Sequence, residues 1–309
     1  MSKCHFDKVL LPVDRSPNSL RAIKFAGVLL KEVETSNLTL IYVMAGGYLS
    51  EHMKNIDFRA ELIKGSEFFK RIKEKHIQEN IMPFLSDYET ILKNAGFTGL
   101  IEKRIEEGDP GNKIIEIAKK ENFQAVMLAR RGMGELKSLL LGSVSSKVLH
   151  GLTNHNVYLV GEKFSEANPV SNILIPVDGS EYSMKAVEHA LCIANVFKGI
   201  NKIIILRVIN VSLYLERVRQ GIDPEEEAKE ILNKAKKRFF DEGIPQELIE
   251  TKTSVGFPKD EIIKEIKEGD YNLVIMGRKG RSALSDFVLG SVSSAVINKC
   301  LEPTVAIIN

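Results

Sequence analysis

The sequence has little of what marks the more specialised protein classes. Its three cysteines, Cys4, Cys192 and Cys300, form no C-x-x-C pair, so no thiol metal knuckle or redox motif is present. They read as core or incidental thiols in a reducing compartment. Of six histidines, only His150 and His155 come near each other. Their spacing puts them about 140° apart on a helix, which disfavours a shared metal. No run approaches the ~18 apolar residues that a spanning helix needs. The start, "MSKCHFDKVLLPVD", enters a strand-like run without an apolar signal core or cleavage site. The expectation is a cytoplasmic, soluble protein with no membrane partner. Charge of one sign is lacking too: 43 Lys and Arg stand against 41 Asp and Glu, a net +2. That balance argues against a dedicated nucleic-acid or membrane-surface protein. Neither a G-x-x-x-x-G-K-[ST] loop nor a G-x-G-x-x-G after the first strand occurs. "GRKG" has the form of a nucleic-acid-clamping GXXG loop, but that loop joins two helices, whereas a strand-like run, "NLVIM", precedes this one.

What is present is a duplication. A chain of 309 residues, 44% hydrophobic, has room for about two domains. "KVLLPVD" (Lys8–Asp14) matches "NILIPVD" (Asn172–Asp178), and "LTLIYV" (Leu38–Val43) matches "IIILRV" (Ile203–Val208). "ARRGMGELKSLLLGSVSSKV" (Ala129–Val148) matches "GRKGRSALSDFVLGSVSSAV" (Gly277–Val296). "NVYLV" (Asn156–Val160) matches "PTVAII" (Pro303–Ile308). A repeat this long is a duplicated domain rather than a solenoid unit. The expected division is a first domain over 1–161, a polar linker over 162–171 and a second domain over 172–309. The first copy is longer between its second and third strands. The extra segment, about 48–64, carries Phe58, Leu62 and Ile63 and suits a lid, a dimer contact or an extra packing helix.

Each copy alternates short apolar runs with helical patterns. Ser16 and Ser180 are placed to cap the first helices, with Pro17 at the first helical position of its own. Ile77, Ile81, Phe84, Leu85, Tyr88, Ile91 and Leu92 mark one helical face, which Pro83 should kink or split. "ENFQAVMLA" and "DYNLVIMG" are near-continuous apolar runs, as expected of central parallel strands. The alternation implies two α/β domains, each a doubly wound parallel sheet in an αβα sandwich. Ligands of such sheets sit at the carboxyl ends of the strands.

Two stretches per copy fall at that edge. Gly277 and Gly280 follow the fourth strand of the second copy, where missing side chains let backbone N–H groups approach a ligand. "GSVSS" (Gly290–Ser294) then opens a helix, whose N-terminus offers free N–H groups to an anion. Serine hydroxyls add donors, or simply cap the helix. Together these suit a di- or triphosphate. Asp14 and Asp178 end the first strands at the same rim. A carboxylate there suits Mg against phosphates, a ribose hydroxyl, or capping of the next helix. Arg130, Arg131, Arg278 and Lys279 either neutralise phosphate or are solvated.

The pattern G-x-x-G, nine residues, G-[ST] resembles the nucleotide-binding signature of the universal stress protein family. Gly277, Gly280, Gly290 and Ser291 match it in full; Ala129, Gly132, Gly142 and Ser143 match it except that Ala129 replaces the first glycine. "PVDRS" and "PVDGS" also resemble the family, and the likeness covers nearly the whole chain as two tandem copies. The resemblance implies five-stranded parallel αβα sandwiches that bind ATP, ADP or AMP, with or without Mg. In the second domain it implies contacts from Pro176, Asp178, Val208, Gly277, Arg278, Gly280, Gly290, Ser291, Val292 and Ser293. In the first it implies Pro12, Asp14, Val43, Ala129, Arg130, Gly132, Gly142, Ser143, Val144 and Ser145. It also implies pairing of the domains through their last strands, an intramolecular pseudo-dimer open to further homodimerisation and to a protein partner that the sequence does not name. Ala129 is harmless at negative φ and costs about 1 kcal/mol or more at positive φ. Arg15 stands where Gly179 stands in the second copy. Neither signature stretch contains histidine, and its only carboxylates are Glu135 and Asp286. The expectation is therefore a nucleotide-binding regulatory protein. The alternatives are a slow ATPase or adenylate-transferring enzyme, and an interaction module that binds no nucleotide.

Overall fold

A computed structural model describes residues 6–31, 33, 37–45, 67–131, 141–163, 168–281 and 289–309. Gly132 and the extra segment at about 48–64 lie outside them. The first half runs β1 (Lys8–Pro12), α1 (Pro17–Leu30), β2 (Asn37–Met44), α2 (Glu67–His76), α3 (Met82–Asn94), β3 (Leu100–Glu107), α4 (Pro110–Lys120), β4 (Ala125–Ala129), α5 (Ser143–Gly151) and β5 (Asn156–Val160). The second runs β6 (Asn172–Val177), α6 (Glu181–Val196), β7 (Lys202–Asn210), α7 (Val211–Arg219), α8 (Pro224–Asp241), β8 (Ile249–Gly256), α9 (Pro258–Glu268), β9 (Leu273–Gly277), α10 (Ser291–Lys299) and β10 (Thr304–Ile308).

Local chemistry sets the boundaries. The Ser16 hydroxyl accepts the Ser19 N–H at 3.1 Å, with Pro17 opening α1. Ser180 repeats this on Ser183 at 3.2 Å. Pro83 takes the first turn of α3, and the chain before it widens into a π-helical turn, Ile77–Ile81. The lost proline N–H is absorbed there rather than as an open kink. Gly96 and Gly243, at φ +100° and +80°, follow α3 and α8 in the left-handed conformation that helix ends favour.

Within each half the strands are parallel, in the order 3-2-1-4-5. The halves do not stand apart. Strand β5 pairs antiparallel with β10, Tyr158 opposite Ala306, so the two sheets fuse into one of ten strands. One apolar layer on each face runs through both halves. Tyr158 is fully buried at the join, tilted against Phe6 and Phe25, and its hydroxyl bonds His189 of α6. Among the described residues no helix is long and apolar enough to cross a membrane. Cys300 is a buried free thiol, as read, but Cys192 is disulfide-bonded. The thiol argument for a reducing compartment therefore loses a member.

Candidate functional site

In the second half a cavity of about 770 Å³ opens at the carboxyl ends of β6, β7 and β9. Neighbouring strands β6 and β9 send their chains to helices on opposite faces there, which makes this the switch point of the sheet. Pro176, Asp178, Val208, Gly277 and Gly280 line it, with Gly290, Ser291, Val292 and Ser293 on its far side.

The cradle is held by its own backbone. The Gly290 N–H donates to the Arg278 carbonyl at 2.9 Å, pinning the start of α10 to the residue after β9. The first half repeats this between Gly142 and Arg130 at 2.8 Å. Gly290 is the N-cap of α10 and supplies no side-chain cap. The N–H groups of Ser291, Val292 and Ser293 therefore begin α10 without intrahelical acceptors, at the positive end of its dipole. A side chain on Gly280 would reach within 2.5 Å of the Asp178 carboxylate, which explains glycine at that crossing. Asp178 accepts the N–H groups of Ser180 and Arg281, each at 3.0 Å. Burial pushes its carboxyl up, but bonds from the Ser180 hydroxyl, these N–H groups and Ser183 outweigh that. The group stays below the usual carboxylate range.

Sequence reasoning missed the cavity's other wall. Arg207 on β7, Arg217 on α7 and Arg281 after the glycine loop converge on Glu227 of α8. Arg281 bonds Glu227 at 2.7 Å, whereas Arg217 and Arg207 stand 3.6 and 3.8 Å away. Burial pushes Glu227 up, and the Arg281 bond with the nearby arginine charges holds it below its ordinary value. Lys259 and Lys279 also line the cavity, giving five cationic side chains against Asp178 and Glu227. One signal was legible: Arg207 interrupts "IIILRV" where a strand end meets the rim.

Several expectations need correction. Arg278 is fully buried, and its guanidinium leaves the cavity for the first half. It donates to the carbonyls of Leu149 and Leu152 at 3.0 Å and of His150 at 3.4 Å. Arg130 does the converse, donating to Ile297 at 2.7 Å and Pro303 at 3.4 Å. Neither side chain is solvated or placed for phosphate. Arg278 caps the C-terminal carbonyls of α5, and Arg130 takes one such carbonyl of α10, Ile297, together with that of Pro303 beyond it; at a helix end acceptors outnumber donors and a cation meets the negative dipole end. Burial pulls the Arg130 guanidinium down to about 10, still charged at neutral pH.

Gly277 is also not spared for a ligand. A side chain there would lie 2.6 Å from the Tyr182 backbone, so this glycine admits α6 against β9. Ala129 takes the same place without strain, because it is not among the residues with positive φ. The Ser293 hydroxyl donates to the Gly277 carbonyl at 2.9 Å and the Ser145 hydroxyl to that of Ala129 at 2.8 Å. Those hydroxyls tie helix to strand end. Ser291 and Ser143, two residues earlier and so on the other side of the helix, are exposed.

In the first half, Pro12, Asp14, Val43, Ala129, Gly142, Ser143 and Val144 hold the corresponding positions, but their surroundings differ. Tyr42 stands where Arg207 stands and meets Phe84 edge-on at 5.2 Å; Phe84 meets Tyr88 at 5.6 Å. The Arg15 guanidinium lies 5.0 Å from the Phe84 ring and bonds the Asn80 carbonyl. The Tyr88 hydroxyl donates to the Asp14 carbonyl at 2.8 Å, and burial beside that carboxylate pushes it up to about 12. Asp14 itself accepts the Ser16 N–H and the Ser19 hydroxyl. The Mg role expected of Asp14 and Asp178 fits poorly. Their oxygens already accept protein donors, and the Arg207 and Arg281 charges stand near Asp178. The ribose or capping alternatives suit these carboxylates better.

The sequence profile described as the universal stress protein family matches residues 5–157 and again 169–307. A universal stress protein of Mycolicibacterium smegmatis is 24% identical over 299 residues, covering 97% of this chain and 96% of the relative. One of Methanocaldococcus jannaschii is 30% identical over 146 residues, covering 45% of this chain and 83% of the relative. A crystal structure of a universal stress protein from Archaeoglobus fulgidus shares the fold with a TM-score of 0.66 at 21% identity, covering 98% of both chains. With the signature at matching places in both halves, the chain belongs to the universal stress protein family, as two tandem domains.

Proposed function

We propose that the chain is an adenine-nucleotide-binding regulatory protein whose competent site lies in the second half, over 172–309. The observation that carries this reading is the joining of an uncapped helix start, the Gly280 crossing and the Asp178 carboxylate around one 770 Å³ cavity. Phosphates would lie on the N–H groups of Ser291–Ser293, ribose at Asp178, and the base beside Val208 and the apolar Ile262 and Met276. Bound ATP, ADP or AMP would supply the anionic charge that the cationic lining lacks. Both cavity carboxylates are held ionised by hydrogen bonds, which suits holding a ligand more than transferring its protons. Isothermal titration of the full chain with ATP, ADP and AMP tests this. The expected result is one tight equivalent per chain, abolished by Gly290→Val. That side chain would press on the Arg278 carbonyl, 3.1 Å away, and on the phosphate position. No affinity better than about 1 mM for any of the three would overturn the reading.

A further inference from the structure

The three arginines around Glu227 are more than that glutamate uses. Only Arg281 hydrogen-bonds it; Arg207 and Arg217 stand at ion-pair distance, and neither guanidinium hydrogen-bonds any group among the described residues. The Arg207 side chain is only 12% exposed, and its Nε is buried without a partner. A buried N–H left unbonded costs free energy, and an arginine has five such donors. Charge points the same way, since three guanidinium groups stand against two carboxylates, Glu227 and the neighbouring Asp178. Burial first, and then the Arg281 charge, pull Arg207 below its ordinary value, against the pull of Asp178 and Glu227.

The place of the cluster names the kind of anion. The Arg281 N–H bonds Asp178, and its Nη2 lies 2.6 Å from where a side chain on Gly179 would begin. The cluster therefore adjoins Asp178 on the α8 side of the sheet, whereas the helix start that suits the 5′-phosphates belongs to α10, which packs on the other side. A ligand spanning both needs one anion at α10 and a second near the group held by Asp178. The first half has no such arrangement, with Tyr42 at the place of Arg207 and Arg15 at that of Gly179.

We infer that the second-half site takes an adenine nucleotide carrying an additional phosphate on its ribose, 2′ or 3′, clasped by Arg207, Arg217 and Arg281. This rests on the nucleotide reading of the same cavity. A phosphate matches the arginine fork and accepts charge-assisted bonds from two or three of them.

Titration of the full chain with AMP, ADP, adenosine 2′,5′-bisphosphate and adenosine 3′,5′-bisphosphate tests it. ADP adds a phosphate away from the ribose and controls for charge. At least one bisphosphate is expected to bind about tenfold tighter than both AMP and ADP. That ratio, read within each variant, should fall towards one in Arg207→Gln and in Arg217→Gln. Arg217 sits on the surface helix α7, which has no buried residue, so its variant keeps the fold if Arg207→Gln does not. AMP binding with no gain from either ribose phosphate overturns the inference and leaves the proposed function standing. An undiminished ratio in Arg217→Gln overturns the clasp. Binding of none of the four overturns both readings.

Discussion

The two halves share a frame and differ in what fills one corner of it. In both, a backbone bond closes the glycine loop onto the last helix, a serine ties that helix to the strand end, and an arginine crosses to cap the opposite half. The difference lies beside the strand-ending aspartate. There the first half stacks Tyr42, Phe84 and Tyr88 under Arg15, and the second gathers Arg207, Arg217 and Arg281 about Glu227. Aromatic packing satisfies itself, whereas an arginine cluster with unfilled donors asks for a ligand. The lesson is that the two halves share the parts that hold them together and differ at the corner where we propose a ligand. The Gly-to-Ala change at position 129 is the most visible difference in the signatures, yet it is not where the sites diverge.

The crossing arginines give the largest expected effect. Arg278→Met should destabilise the full chain by roughly 3 kcal/mol or more in urea unfolding. It strips donors from three carbonyls at the join, at about 1–3 kcal/mol each. Arg130→Met should cost less, because it serves two carbonyls, one of them at 3.4 Å. Equal or negligible losses would break the picture of unequal clasps. Next comes the first glycine of the signature. Gly277→Ala forces a side chain against the Tyr182 backbone and should cost about 1–3 kcal/mol. Ala129→Gly, its mirror, should cost only the ~0.5–1 kcal/mol of strand flexibility. A silent Gly277→Ala would return that glycine to the ligand. The smallest effect is acid dependence. Asp178 is depressed in the fold, so its contribution is present above the ordinary carboxylate pKa of about 3.9 and lost as pH falls through its lower folded value. The stability gap between wild type and Asp178→Asn should therefore be steady near neutrality and shrink below about pH 4. A gap that widens in acid would contradict the hydrogen-bonded, ionised carboxylate.

Much of this was legible because it is local. Ser16, Ser180 and Pro17 declare their helix starts by chemistry within three residues, and Pro83 announces the disturbance that became a π-helical turn. The duplicated strand ends and glycine signature located the rim and one wall of the cavity, from Pro176 and Asp178 to Gly290–Ser293. Arginine destinations were not legible. Arg278 bonds residues 149–152, far away in sequence, and only the antiparallel pairing of β5 with β10 brings them together. A signature arginine beside a phosphate loop suggests phosphate, and nothing nearby in sequence reveals that its side chain turns backward. The role of Gly277 was hidden likewise, since its neighbour is a helix start ninety-odd residues earlier. The Arg207 cluster required the third dimension as well, its members coming from a strand, two helices and a loop.

The antiparallel join has a consequence for signalling geometry. Because each half is internally parallel and the halves meet head to tail, the carboxyl ends of β1 and β6 point to opposite edges of the shared sheet. The second-half cavity therefore opens away from the corresponding rim of the first half, and no small ligand can bridge the two and gain from bivalent attachment. A partner reading both would have to embrace the molecule from two sides.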